Sequence, residues 1–555
     1  MKYSTKAFLL TLTLVGVLLT ACSELNLGGK KITLTMVYGS EKEAWLAPLV
    51  EEFNAQHNKI NGAVIVVEAT PMGSLESSDQ IVEEIIRPVI WSPASSAYIP
   101  VTNANWRQTH TDDLVTGSPP DLVLSPIVIA MWQPMAEALG WPGRAIGWTD
   151  IAQLAMSEEG WSAYGFPEWG KFKFGHTHPS FSNSGILAVI AEAYAGAGKQ
   201  RGLTREDLAQ QEVKTFMAEV ESSIIHYGES TGFFATRMFE RGPSYLSAAV
   251  LYENLVVAQA TKVNSGVSAQ IPVVAIYPKE GTFWSNHPFI VLNAPWVTEE
   301  QKSAAKVFEA FLLDRPQQVK AIEYGFRPSD PTIPFSAPLD TQHGVDPQQP
   351  QTVLEVPAAD VIVAIQELWR NEAKKPVDLV AILDISGSMQ GEKINAARQS
   401  LIDFVNLLDD RDRLAVILFS DDLTMLTPLS PMGEKRQRVL QQIGGIIEGG
   451  DTRLYDAIDM AYTTLQSEGD PQHIRAIVAL TDGNDTASEL KLSPLLQKVG
   501  NLSEGGNATK VFTIGFGGNA DGKVLKEIAE STGAQQYDSD PKTIRDIYRE
   551  IATFF

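Results

Sequence analysis

Five side chains in the C-terminal half are of the types that hold a small, hard cation. An apolar run from Val377 to Leu383 ends in Asp384-Ile385-Ser386-Gly387-Ser388, Thr452 follows in a glycine-rich loop, and Asp482 ends another apolar run. Hydroxyls and a few carboxylates are what Mg²⁺, and equally Mn²⁺ or Ca²⁺, accepts; Mg²⁺ in particular takes an octahedral shell of oxygens and keeps several waters. A string of Asp-x-Ser-x-Ser arises often by chance. Its position gives it weight, because Asp384 and Asp482 fall at the carboxyl ends of expected parallel strands, where open α/β sheets place their ligand crevice.

Those strands follow from the surrounding periodicity. Asp378 to Leu383 reads as a strand, and Lys393 to Leu408 puts Ile394, Ala397, Leu401, Phe404, Val405 and Leu408 on one helical face. Further strands are expected at 413–420, 424–429 (an edge), 476–481 and 511–516. Helices are expected near 434–443, 454–465, 493–499 and 522–531, with a last one from Pro541. Strands alternating with helices imply a parallel sheet covered on both faces.

Residues 377–555 resemble a von Willebrand factor A (VWA) domain. Asp384-Ile385-Ser386-Gly387-Ser388, the Thr452 loop and Thr481-Asp482-Gly483 fall in the order of the three segments of that family's metal-ion-dependent adhesion site. The resemblance implies a doubly wound, Rossmann-like fold. In it Ser386, Ser388 and Thr452 contact the cation, while Asp384 and Asp482 act directly or through water. It also implies a protein partner, because a cation with few direct carboxylates keeps positive charge and an open position for an acidic side chain. Some domains of this fold keep the loops without a ligand, so a purely structural role stays open. Asp451 intervenes where the family often reads Gly-Gly-Thr and could add charge, whereas Asp456 and Asp485 read as solvated or capping residues.

The region from about Lys31 to Arg370 reads as a second α/β unit. Ile32 to Val37 is a strand, Tyr38-Gly39-Ser40-Glu41 a turn, and Lys42 to Gln56 a helix with Trp45, Leu49 and Phe53 inward. Strands follow at Val64 to Ala69 and at Asp121 to Leu124, the latter ending at Ser125-Pro126. The segment from Gly175 to Gly185 then opens an apolar helix running to Tyr194.

This region resembles the bacterial extracellular solute-binding proteins, with their two-lobed periplasmic-binding fold, and among them the molybdate- and sulfate-type binders. The match is carried by Ser182-Asn183-Ser184-Gly185, Tyr252-Glu253 and the stretch from Tyr277-Pro278-Lys279-Glu280-Gly281 to His287-Pro288-Phe289. It implies a small solute held between lobes, where serine hydroxyls and helix N-terminal amides can bind an oxyanion without formal positive charge. Gly39, Ser40, Ser125, Ser182, Ser184 and Gly185, with Tyr252 behind them, are the expected positions. Serines at helix starts also serve as caps, and that role stays open. His176 and His178 alternate as a metal pair could; with Pro179 behind them and no third ligand nearby in sequence, a structural loop is the expectation.

The N-terminus has the form of a secretion signal. Two lysines precede a short apolar core from Ala7 to Leu19, too short to span a bilayer, and Leu19-Thr20-Ala21-Cys22 resembles a bacterial lipobox. Cys22 is the single cysteine, so disulfides cannot stabilise the chain. Lipid on Cys22 would tether the protein to a cell membrane, facing the extracytoplasmic side. The expected organisation is therefore a lipoprotein signal peptide over 1–22, a solute-binding-like domain over 31–370, a linker over 371–376 and the VWA-like domain over 377–555.

Size and charge agree with this division. A chain of 555 residues exceeds what one core supports. All 11 tryptophans lie at or before Trp369, a composition break that marks two architectures. The net charge is −23 and both parts are acidic, which argues against a nucleic-acid partner. A Pro- and Gln-rich stretch over 330–350 reads as a mobile connector or lobe decoration.

No GxSxG elbow, Walker loop, HExxH or CxxC occurs, and no histidine stands at motif spacing from Ser386. Binding is therefore expected, not catalysis. Two roles follow: metal-ion-dependent protein interaction or adhesion with the N-terminal module as scaffold or sensor, or a receptor for an ABC-type transporter with an appended docking domain.

Overall fold

A computed structural model of the chain describes residues 30–267, 271–500, 509–518 and 520–555. Cys22 and the segment 1–22 lie outside the described residues. Three sheets organise the rest. The first runs Ile290–Val291, Ile90–Ser92, Lys31–Tyr38, Ala63–Pro71, Lys59–Ile60. Its central strand pairs in parallel with Ala63–Pro71 and Ile90–Ser92, and Ile290–Val291 returns antiparallel. The helix Glu43–Ala55 covers it with Trp45, Leu49 and Phe53 buried as expected.

The second sheet centres on the long strand Val123–Trp132, which pairs with Ala248–Tyr252, Val273–Ile276, Trp284–Ser285 and Arg327–Pro328. The strand expected to stop at Ser125-Pro126 instead continues to Trp132. Proline lacks the amide hydrogen of a ladder residue; here Pro126 falls where the ladder passes from Trp284–Ser285 to Ala248–Tyr252. Because the chain passes between these two sheets more than once, the N-terminal module has two lobes.

The third sheet runs Leu423–Pro431, Arg413–Phe419, Val377–Asp384, Ile474–Thr481, Lys510–Phe516, Gln536–Ser539. It is parallel apart from the first edge strand. All eight residues of Val377–Asp384 are buried, the mark of a central strand covered on both faces. Leu379, Ala381 and Leu383 pack on one side with Leu401, Phe404 and Tyr548; Val380 and Ile382 pack on the other with Ala457, Ile458 and Ile528. The edge strand Gln536–Ser539 has no counterpart in the sequence reading, because four residues with Tyr537 as their one apolar side chain carry little strand signal.

The two architectures are not beads on a string. The core of the second lobe and one face of the third sheet form a continuous apolar cluster, and Arg237 and Arg241 of the helix Thr231–Arg241 bond Gln535 and the Gly533 carbonyl. Residues 371–376 take part. The helix Ala359–Leu368 runs on into a wide turn, Trp369–Ala373, and Lys374, 4% exposed, places its ammonium 2.6 Å from Asp409 and 3.4 Å from Asp412. Burial draws the Lys374 pKa down, but Asp412 and Asp409 overcome it and hold it above the ordinary lysine value. Ile333, Leu339 and Val345 of the stretch 330–350 are also buried.

Removing one partner of a buried ion pair leaves an uncompensated charge, which costs about 3–5 kcal/mol. Lys374→Ala should lower the stability of the C-terminal unit by that amount in urea unfolding, whereas alanine at the exposed pair residue Lys302 should have no measurable effect.

Candidate functional site

The cation-type residues lie together at the carboxyl edge of the third sheet. Ser386 Oγ is 3.1 Å from Ser388 Oγ, and the Ser388 hydroxyl donates to Asp482 Oδ1 at 2.6 Å. Asp384 stands behind them, fully buried. Its Oδ1 accepts the Ser386 amide at 2.8 Å and its Oδ2 the Thr481 hydroxyl at 2.5 Å, so both oxygens brace the loop. Burial holds its carboxyl above the usual range, against the bonds from Ser386 and Thr481.

The glycine-rich loop is fastened to this centre by backbone. Gly387 N–H donates to Gly450 O at 2.9 Å and Gly449 N–H to Ile385 O at 2.6 Å. Gly450 has φ +98°, and a Cβ there would meet Asp421 Oδ2 at 2.6 Å, so only glycine fits. Thr452 is buried beside Gly483, whose Cβ would lie 3.8 Å from the Thr452 hydroxyl. The Thr452 carbonyl accepts from Thr486 and Ala487. Thus Ser386, Ser388 and Asp482 touch directly, Thr452 flanks them and Asp384 supports them. Asp451 is exposed on the rim. Asp456 and Asp485 each accept backbone amides, at Glu489, Leu490 and Tyr455, and so cap loops.

One functional side chain escaped sequence reasoning. The Lys393 ammonium bonds Asp482 Oδ2, placing a built-in positive charge on the second oxygen of that carboxylate. Its signal was a lysine in the first turn of the helix Glu392–Leu407, where the macrodipole disfavours cations. Two hydroxyls and a carboxylate in mutual contact suit a hard cation as donors; His473 is engaged elsewhere, with Asp378 at the other end of the central strand.

The expected solute positions gather at the boundary of the two lobes, and their polar groups are occupied by neighbouring protein groups. Ser40 Oγ, from the first lobe, donates to Ser230 Oγ at 2.9 Å and accepts the Gly232 amide at 3.3 Å, both of the second lobe. Ser184 Oγ lies 2.7 Å from both Thr177 Oγ1 and Thr231 Oγ1, and Ser182 Oγ 3.3 Å from Thr231 Oγ1. Ser125 bonds Asn254, whose amide crosses to the Glu41 carbonyl at 3.2 Å. The Tyr252 hydroxyl accepts from Asn183 at 3.0 Å. Gly185 packs so tightly on Thr177 that a Cβ would lie 2.0 Å from its carbonyl oxygen.

Beside Gly39, the buried turn Ser40–Lys42 carries a charge cluster of its own. Glu41 Oε1 is 2.9 Å from Lys42 Nζ and 3.2 Å from His287 Nδ1. Burial alone would raise the Glu41 carboxyl, yet Lys42 and His287 hold it down at about 2. Burial and Lys42 together lower His287 to about 4.

Comparison with known proteins assigns both units. The model of the family described as bacterial extracellular solute-binding protein matches residues 34–327, and that of the von Willebrand factor type A domain matches 378–550. Inter-alpha-trypsin inhibitor heavy chain H4 of Homo sapiens is 29% identical over 189 residues, 32% of this chain and 20% of that protein. An uncharacterized protein of Mycobacterium tuberculosis is 24% identical over 338 residues, 56% of this chain and 44% of that one. The chain thus spans less than half the length of these curated relatives. Among solved structures, a periplasmic thiamin binding protein is 10% identical with a TM-score of 0.45, over 62% of this chain and 97% of that one. Since the solute-binding model takes in more than half of its residues, the chain belongs to the bacterial extracellular solute-binding protein family, and it carries a VWA domain after that module.

Proposed function

We propose that the protein is a lipid-anchored binding protein on the extracytoplasmic side of a cell membrane, in which the VWA domain captures a protein partner and the two-lobed module is its scaffold. The observation that carries this reading is the contact of Ser386, Ser388 and Asp482 oxygens at the sheet edge, with Ser388 exposed to solvent. Ser386, Ser388 and Thr452 would hold a divalent cation, Mg²⁺ first and Mn²⁺ or Ca²⁺ as substitutes, with Asp384 and Asp482 acting directly or through water. Bound there, the cation supplies positive charge and an open coordination position. An acidic side chain of the partner is the chemistry that fills it. The membrane attachment rests on lipid at Cys22, and the role is binding without catalysis.

The transporter-receptor reading draws on the family of the N-terminal module and on the hydroxyls at the starts of the helices Asn183–Ala197 and Thr231–Arg241. The bonds from Ser40 to Ser230 and Gly232 favour the scaffold, because a solute would have to displace them.

Mg²⁺ should raise the melting temperature of the protein. A ligand at 100 times its Kd stabilises by about 2.7 kcal/mol, and Asp384→Ala should remove that increment; a wild type indifferent to Mg²⁺, Mn²⁺ and Ca²⁺ would refute the site. Lys393→Met should tighten the apparent Mg²⁺ affinity about tenfold, since a neighbouring ammonium opposes a cation by on the order of 1–4 kcal/mol. Partner capture from an extracellular extract should occur with Mg²⁺ and fail with EDTA.

A thermal-shift panel of sulfate, molybdate, phosphate and sugars should leave the wild type unmoved. A hit that Ser184→Trp abolishes would instead establish the receptor reading.

A further inference from the structure

We propose that His176, Glu192 and Glu221 form a buried site for one structural divalent cation of the zinc class, where the second lobe receives the chain leading to the VWA domain. The three come from separate elements: His176 from the loop after the strand Phe174–Gly175, Glu192 from the helix Asn183–Ala197, and Glu221 from the end of the helix Gln211–Glu221. Each offers a ligand atom within 4.8 Å of the others, and all three are 0% exposed. The assignment is independent of the VWA site.

Two observations point to a missing positive partner. Glu192 projects from a helix whose residues 183–194 are all buried, and neither of its carboxylate oxygens meets a hydrogen-bond donor among the described residues. A buried carboxylate without partners is among the costliest arrangements in a protein interior. The second observation is the His176 tautomer. Its Nδ1 lies 2.7 Å from the Thr177 carbonyl, an acceptor only, so Nδ1 carries the hydrogen. In the neutral ring Nε2 then has a lone pair, and it faces Glu221 Oε1 at 3.0 Å. Two lone pairs at that distance require a proton or a cation between them.

The surroundings have the form of a metal site's outer layer. The Trp369 indole N–H donates to Glu221 Oε1 at 2.9 Å and the Tyr227 hydroxyl to Oε2 at 2.6 Å. Outer-layer donors of this kind orient a ligating carboxylate, as the Thr177 carbonyl orients the imidazole. Among the described residues no lysine or arginine forms an ion pair with Glu192 or Glu221; the nearby Lys375 ammonium is on the Ile224 carbonyl at 3.3 Å. A dication would bring two carboxylates and a neutral imidazole to zero net charge.

One nitrogen and two carboxylates also select the ion. Ca²⁺ takes six to eight oxygens and Mg²⁺ an octahedral, partly hydrated shell, whereas Zn²⁺ accepts His nitrogen and carboxylate oxygen in a compact tetrahedron. A water would complete it. The rival occupants are protons, one on His176 Nε2 facing Glu221 Oε1 and one on the Glu192 carboxyl.

Elemental analysis of the full chain, produced in zinc-supplemented medium, separates the cation from the protons. The expected result is about one equivalent of zinc that survives dialysis against EDTA and is released on unfolding. Asp384→Ala should retain it, and Glu192→Gln should hold less than about a tenth of it. Trp369→Phe keeps the ligands, removes an orienting donor and should weaken zinc affinity by about tenfold or more, which covers the case in which Glu192→Gln fails to fold. Wild-type chain refolded with Co²⁺ should show the visible bands of a tetrahedral centre. Zinc below about a tenth of an equivalent in the wild type, zinc content unchanged in Glu192→Gln, or refolding with Co²⁺ that gives no such bands would overturn the proposal.

Discussion

The carboxylate of Glu221 is the point on which the assembly of this chain turns. It lies wholly inside the protein and receives the indole of Trp369, a residue from the far end of the N-terminal module, together with the phenol of Tyr227. Hydrogen bonds to a charged acceptor contribute about 1.5–3 kcal/mol each, and an unmet buried charge costs more than either gives. The helix carrying Trp369 therefore has one place to dock. A short way on, Lys374 meets Asp409 and Asp412, and the strand Val377–Asp384 starts already oriented against the second lobe. The position of Asp384, Ser386 and Ser388 relative to the lobes follows from contacts made well outside the sheet that carries them.

The lobe boundary obeys the same accounting of donors and acceptors. A serine hydroxyl has one hydrogen to give and two lone pairs to fill. Ser40, Ser182 and Ser184 spend theirs on Ser230, Gly232, Thr177 and Thr231, and Asn254 reaches across to Glu41. A ligand entering there would replace bonds already made, so its net gain would be the difference between two similar sets. The same residue types that could bind an oxyanion can therefore equally close a cleft.

Much of the fold was legible because burial imposes period. The apolar face Ile394, Ala397, Leu401, Phe404, Val405 and Leu408 is buried as its spacing predicts, and the strand expected from the apolar run at Ala476 to Thr481 lies within Ile474–Thr481. The cluster of Ser386, Ser388, Thr452 and Asp482 was legible because sheet topology brings carboxyl ends of adjacent parallel strands together. Pairings set by tertiary contact were not. Lys393 on Asp482 looked like an ordinary exposed helix lysine, and the carboxylates that lie beside His176, those of Glu192 and Glu221, come from two other helices. Glu192 sits in so apolar a stretch that periodicity assigns its neighbours to the core and says nothing of the carboxylate among them.

The VWA domain also bears on how the lobes can move. A cavity of about 240 Å³ is lined by Glu76 and Gln80 of the first lobe, Phe181 and Glu229 of the second, and Asp546, Arg549 and Glu550 of the helix Ile544–Ala552. The Arg549 guanidinium lies 5.9 Å from the Phe181 ring and lowers the pKa of Asp79, which burial nonetheless raises to about 7. Burial likewise raises Glu229 to about 8, helped by Glu550 and Glu76. One helix of the VWA domain thus meets both lobes at the mouth of their boundary. A hinge motion that parted the lobes would draw Glu76 and Asp79 away from Arg549, while Arg237 held the second lobe to Gln535 and Glu550. The VWA domain is thus tied to the second lobe through Arg237 and faces the first through Arg549, so it spans the boundary that the serine and threonine hydroxyls close.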